Sequence, residues 1–119
     1  MLVNYPSAAH WPVDPTRHDL VEEFRRNPRG PHGADLQKLL HRMRWAGDPE
    51  AGGRYVLLVR EPGRSWVLAR LPAARGAPIE PIPNQVFTSL AAAEWEVFKR
   101  RWHALTGEVL PGSIEDAQA

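Results

Sequence analysis

A chain of 119 residues has room for one domain with a modest core, and not for a large substrate pocket of its own. With 43% hydrophobic and 24% charged residues it has the make-up of an ordinary globular domain, and a net charge of +1 is too balanced to argue for nucleic acid by itself. The absence of cysteine excludes a disulfide framework, a thiolate metal site and a cysteine nucleophile.

The opening segment, MLVNYPSAAHWPVDP, has neither the basic start nor the continuous apolar run of a signal peptide. No stretch reaches the length of a membrane span, so a cytoplasmic protein is expected. Within residues 1–15, Pro6, Pro12 and Pro15 exclude a helix or a central strand. Tyr5 and Trp11 make this segment an extended arm. It is either frayed or docked, and two large aromatics are unusual in a disordered one.

A single domain is expected over 16–107. From Thr16 the pattern predicts a helix, capped by Asp14 or Thr16, with Leu20, Val21 and Phe24 as its apolar face and Pro28 and Gly30 as its stop. After the turn NPRGPHG, ADLQKLLHRMRW places Leu36, Leu39, Leu40 and Met43 at the i, i+3, i+4, i+7 spacing of one buried helical face. The segment AGDPEAGG then breaks the chain.

RYVLLVR and SWVLARL, joined by EPGR, predict a β-hairpin, with a bulge expected because it matches strand twist better than a bare type II turn. Both faces read as apolar, since Tyr55, Leu57 and Val59 alternate with Val56 and Leu58. One face is within reach of the chain's own helices; the other needs another element or another protein. In PAARGAPIEPIPNQVF the prolines exclude a central strand, leaving QVF as a short edge strand. A long helix follows, capped by Thr88 or Ser89 and ended by Gly107. Its stripe of Ala91, Trp95, Phe98, Trp102 and Leu105 is expected to pack on the sheet. Residues 108–119 read as a loose tail. The fold class is therefore α+β, a small domain with a hairpin and a third edge strand against two or three helices.

The search for chemistry finds no catalytic set. The five histidines are scattered, and His18 with Glu22 reads as a solvated helix face sooner than as a metal site. Gly52 and Gly53 lead into a strand and open no phosphate-binding helix. Glu94 and Glu96, like Glu22 and Glu23, sit on different faces of a helix and form no carboxylate pair. What the chain has in surplus is tryptophan and arginine, the residues that most often anchor protein interfaces. Trp95 and Trp102 fall on the core stripe. Trp11, Trp45 and Trp66, together with Tyr5, Arg54 and Arg60, are the candidate partner-interface residues.

The order LQKLLHRMR on a helix, GRYVLLVRE, a W-x-L-A-R return strand, and F-T-S-x-x-x-A-E-x-x-V-F-x-x-R on a helix resembles the small, α-type subunit of N,N-dimethylformamidase, from about Asp35 to Arg101. The N-terminal third departs from that pattern, lacking the longer charged helical lead. The resemblance implies a non-catalytic small subunit of a heteromeric amidohydrolase that splits a small N-substituted amide into formate and an amine. It further implies that chemistry resides in a large partner subunit, on an iron held by tyrosine and carboxylate ligands, with no cofactor, metal or catalytic residue in this chain. A second expectation, from the hairpin and its arginines, is a nucleic-acid-binding domain that lays Arg54, Arg60, Arg64 and Arg70 in a groove from one face of the sheet. Their even positions permit this if the hairpin register allows.

Overall fold

The computed structural model describes residues 11–44, 54–72 and 76–112. Three helices and a three-stranded antiparallel sheet follow one another along the chain: α1 (His18–Arg26), α2 (Ala34–Met43), β1 (Arg54–Glu61), β2 (Ser65–Leu71), β3 (Glu80–Phe87) and α3 (Leu90–Thr106). The α+β class and the third strand agree with the sequence pattern.

Helix α1 begins two residues later than Thr16, and its cap position is taken by Arg17, which makes no side-chain cap bond. The Asp14 carboxylate is used one turn earlier, accepting from the Thr16 hydroxyl at 2.7 Å and the Thr16 N–H at 2.9 Å. Those bonds hold its pKa below the usual carboxylate value. Arg17 instead donates to Asp19 and, 3.0 Å away, to Asp35 in the first turn of α2. Both pairs are exposed and orient the two helix starts more than they stabilise them. Leu20, Val21 and Phe24 form the buried face of α1, and Leu36, Leu39 and Met43 that of α2, with Leu40 packed beside them.

The sheet has strand order β1-β2-β3. The hairpin turns through Pro62 and Gly63, closed by a bond from the Arg64 N–H to the Glu61 carbonyl. Gly63 has φ +71°, a conformation that favours glycine. The register breaks between Val59 and Glu61, so Arg60 is the extra residue of a bulge. β3 is longer than QVF and begins at Glu80. It keeps Pro81 and Pro83 because it is an edge strand, and between its pairings with Ala69 and Val67 the segment from Ile82 to Gln85 bulges past Leu68. Asn84 within that bulge has φ 63°, which Asn tolerates better than most residues.

Helix α3 starts under a Ser89 cap, whose side chain accepts from the Ala92 N–H at 3.2 Å. It ends at Gly107, left-handed at φ +80°. It lies between two layers, with the sheet on one side and α2 and α1 on the other. Here the sequence expectation is corrected. The stripe of Trp95, Phe98 and Trp102 faces α1 and α2, not the sheet, and forms one core with Leu20, Val21, Phe24, Leu36, Leu39, Met43 and Leu110. Four aromatic rings stack through it: Phe24 on Phe98 at 4.5 Å, and Phe98 between Trp95 at 5.6 Å and Trp102 at 6.3 Å. Among the described residues, the buried ones outside this cluster are Ala93 and Val97 on α3 and Ser65, Leu68 and Ala69 on β2. Small residues on α3 let the sheet approach closely; large ones fill the gap to two helices at once.

Residues 108–112, which the sequence places in a loose tail, dock on α3. Leu110 is buried in the core, and the Gly112 carbonyl accepts from Trp95 Nε1 at 3.2 Å and Lys99 Nζ at 3.0 Å. Glu108 Oε1 accepts from Trp102 Nε1 at 2.8 Å and lies 2.9 Å from His18 Nε2.

Candidate functional site

Register assigns every strand residue to a face. Arg100 from α3 and Arg70 from β2 both stand over the Tyr55 ring, at 5.7 and 5.9 Å, which puts Tyr55 on the face turned toward α3. Its cross-strand neighbours fix the rest: Leu57 opposite Leu68, and Val59 opposite Trp66 opposite Phe87, share that inner face. The outer face then carries Val56, Ala69 and Pro81 in one row and Leu58, Val67 and Val86 in the next. It is apolar across three strands; Val86 is 46% exposed, whereas Ala69 at its centre has no accessible surface, and among the described residues the sheet packs chiefly against α3.

The same register overturns the arrangement that a sheet-borne nucleic-acid groove requires. Arg70 pairs with Tyr55 and so faces α3, whereas Arg54 pairs with Leu71 on the opposite side, and Arg60 sits in the bulge. Alternation by even number fails because the bulge at Arg60 shifts the register by one residue, so that beyond it even-numbered residues of β1 pair with odd-numbered ones of β2.

Of the candidate interface residues, Tyr5 and Trp45 lie outside the described residues. Trp11 rests on α2, its ring centroid 5.5 Å from that of His41 and 5.4 Å from Lys38 Nζ, while its carbonyl accepts from Arg42 Nε at 2.7 Å. Trp66 is half-buried on the inner face, at the turn end of the hairpin, next to Val59, which is 61% exposed. The structure therefore separates Trp11 from Trp66 and brings neither to Arg54.

A feature that the sequence reading did not single out lies at the edge of the sheet. Strand β1, α2 and α3 enclose an open cleft of about 360 Å³, walled by Phe24, Leu40, Met43, Leu57, Val97 and Phe98. Two ionisable groups of α3, Glu94 and Arg101, line it, seven residues apart and so on one side of the helix. Burial pushes the Glu94 carboxyl above its usual pKa, opposed by Arg29 and His32. A carboxyl held up in this way is stabler protonated: folding stability falls as pH rises from the unfolded value through the folded one, and the loss is complete above it. Glu94→Gln is accordingly expected to be more stable than the wild type at neutral pH and indistinguishable from it below about pH 4, as read by urea melts at the two pH values.

Arg101 donates from Nη2 to the Tyr55 carbonyl at 3.2 Å, and its Nε is sealed from solvent without a hydrogen-bond partner among the described residues. Burial lowers its pKa, with Arg44 and Arg54 adding repulsion. Its two neighbours in the KRR run are served by Glu96, which takes Lys99 at 3.1 Å and Arg100 at 2.8 Å. The signal in the sequence was the spacing Glu94, Val97, Phe98, Arg101, which puts a cation and an anion beside core positions on one helix.

Chemically, the described residues hold no group of three or more His, Asp or Glu that could bind a metal ion. No helix among them is long and apolar enough to cross a membrane. A family model described as N,N-dimethylformamidase alpha subunit matches residues 14–111. No curated protein and no solved structure matches the chain.

Proposed function

The chain belongs to the N,N-dimethylformamidase alpha-subunit family, and from that premise we propose that it is the non-catalytic small subunit of a heteromeric amidohydrolase. In this reading its role is to cover and stabilise a large subunit that hydrolyses a small N-substituted amide to a carboxylate, formate in the parent case, and an amine. Membership in a subunit family implies an assembly with another subunit. The observation that carries the reading further is the apolar outer face of the sheet. Two rows of Val, Leu, Ala and Pro side chains across three strands suit a second protein surface better than water or a nucleic-acid backbone.

Among the described residues there is no set that fits an iron site: His18 and Glu108 come together, Glu108 Oε1 also accepts from Trp102 Nε1, and no third His, Asp or Glu joins them. In this reading the iron and the hydrolytic step belong to the large subunit, and no step of the reaction is routed through this chain. Trp11, lying on α2, and Trp66, beside exposed Val59, are proposed as anchors, with arginines at the rim pairing with carboxylates of the partner.

The test is a pull-down of the tagged chain from its native cell, with nuclease and high salt, followed by mass and metal analysis of what remains bound. A stoichiometric large polypeptide that carries iron is expected, and Trp66→Ala and Trp11→Ala should each reduce its retention. A chain that emerges alone would overturn the subunit reading, since apolar contacts survive salt that strips nucleic acid away.

A further inference from the structure

We infer that the cleft between β1, α2 and α3 is the receptor for a segment of the large subunit that presents a carboxylate beside an apolar side chain, with the Arg101 guanidinium as the group that binds the carboxylate. The inference rests on the subunit reading and names the chemistry of the contact.

Three observations converge on it. The first is geometric: Arg101 lines the cleft and has one acceptor among the described residues, the Tyr55 carbonyl, which takes a single bond from Nη2. A guanidinium presents its donors in a planar fork that matches a carboxylate, and one carbonyl leaves most of that fork unused. The second is charge. Arg44 lines the same cleft and Arg54 stands close enough to repel Arg101, whereas Glu94, the cleft's own carboxylate, is placed two helical turns away and feels Arg29 and His32. Burying a guanidinium without an anion is costly, and an incoming carboxylate removes that cost. The same burial depresses the pKa of Arg101.

The third is continuity. Val56 lines the cleft and also stands on the outer face of the sheet, so one partner surface that covers the outer face reaches the cleft by turning round the β1 edge. The remaining wall, Phe24, Leu40, Met43, Leu57, Val97 and Phe98, asks for an apolar side chain next to the carboxylate.

The experiment titrates full-length wild type, Arg101→Met and Arg101→Lys against the large polypeptide that the tagged wild type retains. Arg101→Met is expected to raise Kd by about tenfold or more, as loss of one member of a buried charge pair does elsewhere. At the same time the isolated Arg101→Met chain should be no less stable than wild type, because an apolar residue of similar length replaces a buried cation. Arg101→Lys keeps the charge but loses the fork, and is expected to bind more weakly than wild type; it also serves if the Met variant fails to fold. Wild-type affinity in both variants would overturn the inference while leaving the subunit reading intact. Dimerisation of the isolated wild type that Arg101→Met abolishes, read by sedimentation, would assign the cleft to a second copy and overturn it as well. A wild type that retains no large polypeptide fails earlier, at the subunit reading, and takes the inference with it.

Discussion

Trp102→Ala is expected to cost about 3–5 kcal/mol of folding stability. Trp102 has no accessible surface, closes the aromatic stack below Phe98, and receives the His18 ring edge-on at 6.0 Å. Truncation leaves a cavity that cannot collapse easily, because its walls belong to three separate segments: α1, α3 and the stretch after Gly107. Glu108 loses its indole donor as well, a smaller penalty since water can reach that carboxylate. Against the 5–15 kcal/mol typical of a whole domain, this removes a large share. In a urea titration the midpoint should fall sharply, and Trp102→Phe, which keeps the ring stack but not the N–H, should recover much of the loss. A midpoint for Trp102→Ala within error of wild type would contradict the central place given to this residue.

The second large effect is expected on the opposite side of the molecule and in a different quantity. Val67 sits in the middle of the outer face, flanked in register by Leu58 and Val86. In the isolated chain Val67→Lys can extend its ammonium into water, so stability should shift by no more than about 1 kcal/mol. If the proposed subunit docks on this face, the same charge is sealed away from water, where an unpaired buried charge costs about 3–5 kcal/mol and weakens binding by roughly a hundredfold or more. Retention of the large subunit by the Val67→Lys chain is the measurement. Undiminished retention would show that the outer face is not where the subunit docks.

Much of the fold was legible because its signals are local. Ser89 and Gly107 frame α3 with side-chain and backbone chemistry that belongs to those positions alone, and Leu36, Leu39 and Met43 announce the buried face of α2 by spacing. What local signals could not reveal is which layer each face meets. The stripe on α3 was read correctly as a core stripe, yet it turns to α1 and α2, because the sheet is satisfied by the smaller Ala93 and Val97. The start of α1 was missed because Asp14 engages Thr16 in a turn of its own instead of capping the helix. A common face for Arg54 and Arg70 depended on the hairpin register, and the bulge at Arg60 shifts that register by one residue, setting Arg70 opposite Tyr55 and Arg54 opposite Leu71. The cleft was invisible because Tyr55, Met43 and Arg101 come from three elements, and only the fold brings them together.

The position of α3 has a bearing on how the chain is made. It follows the other described elements along the chain and forms the layer between them, so the apolar sides of α1, α2 and the sheet are turned toward something made after them. While the ribosome has reached only Phe87, Leu20, Val21 and Phe24 have no Phe98 or Trp102 to meet, and Leu68 has no Val97. Two half-formed surfaces are then held in waiting until α3 emerges. The sheet and the helical pair thus reach their native burial together, once α3 is made, and the sheet's outer face is completed no earlier than the helix that backs it.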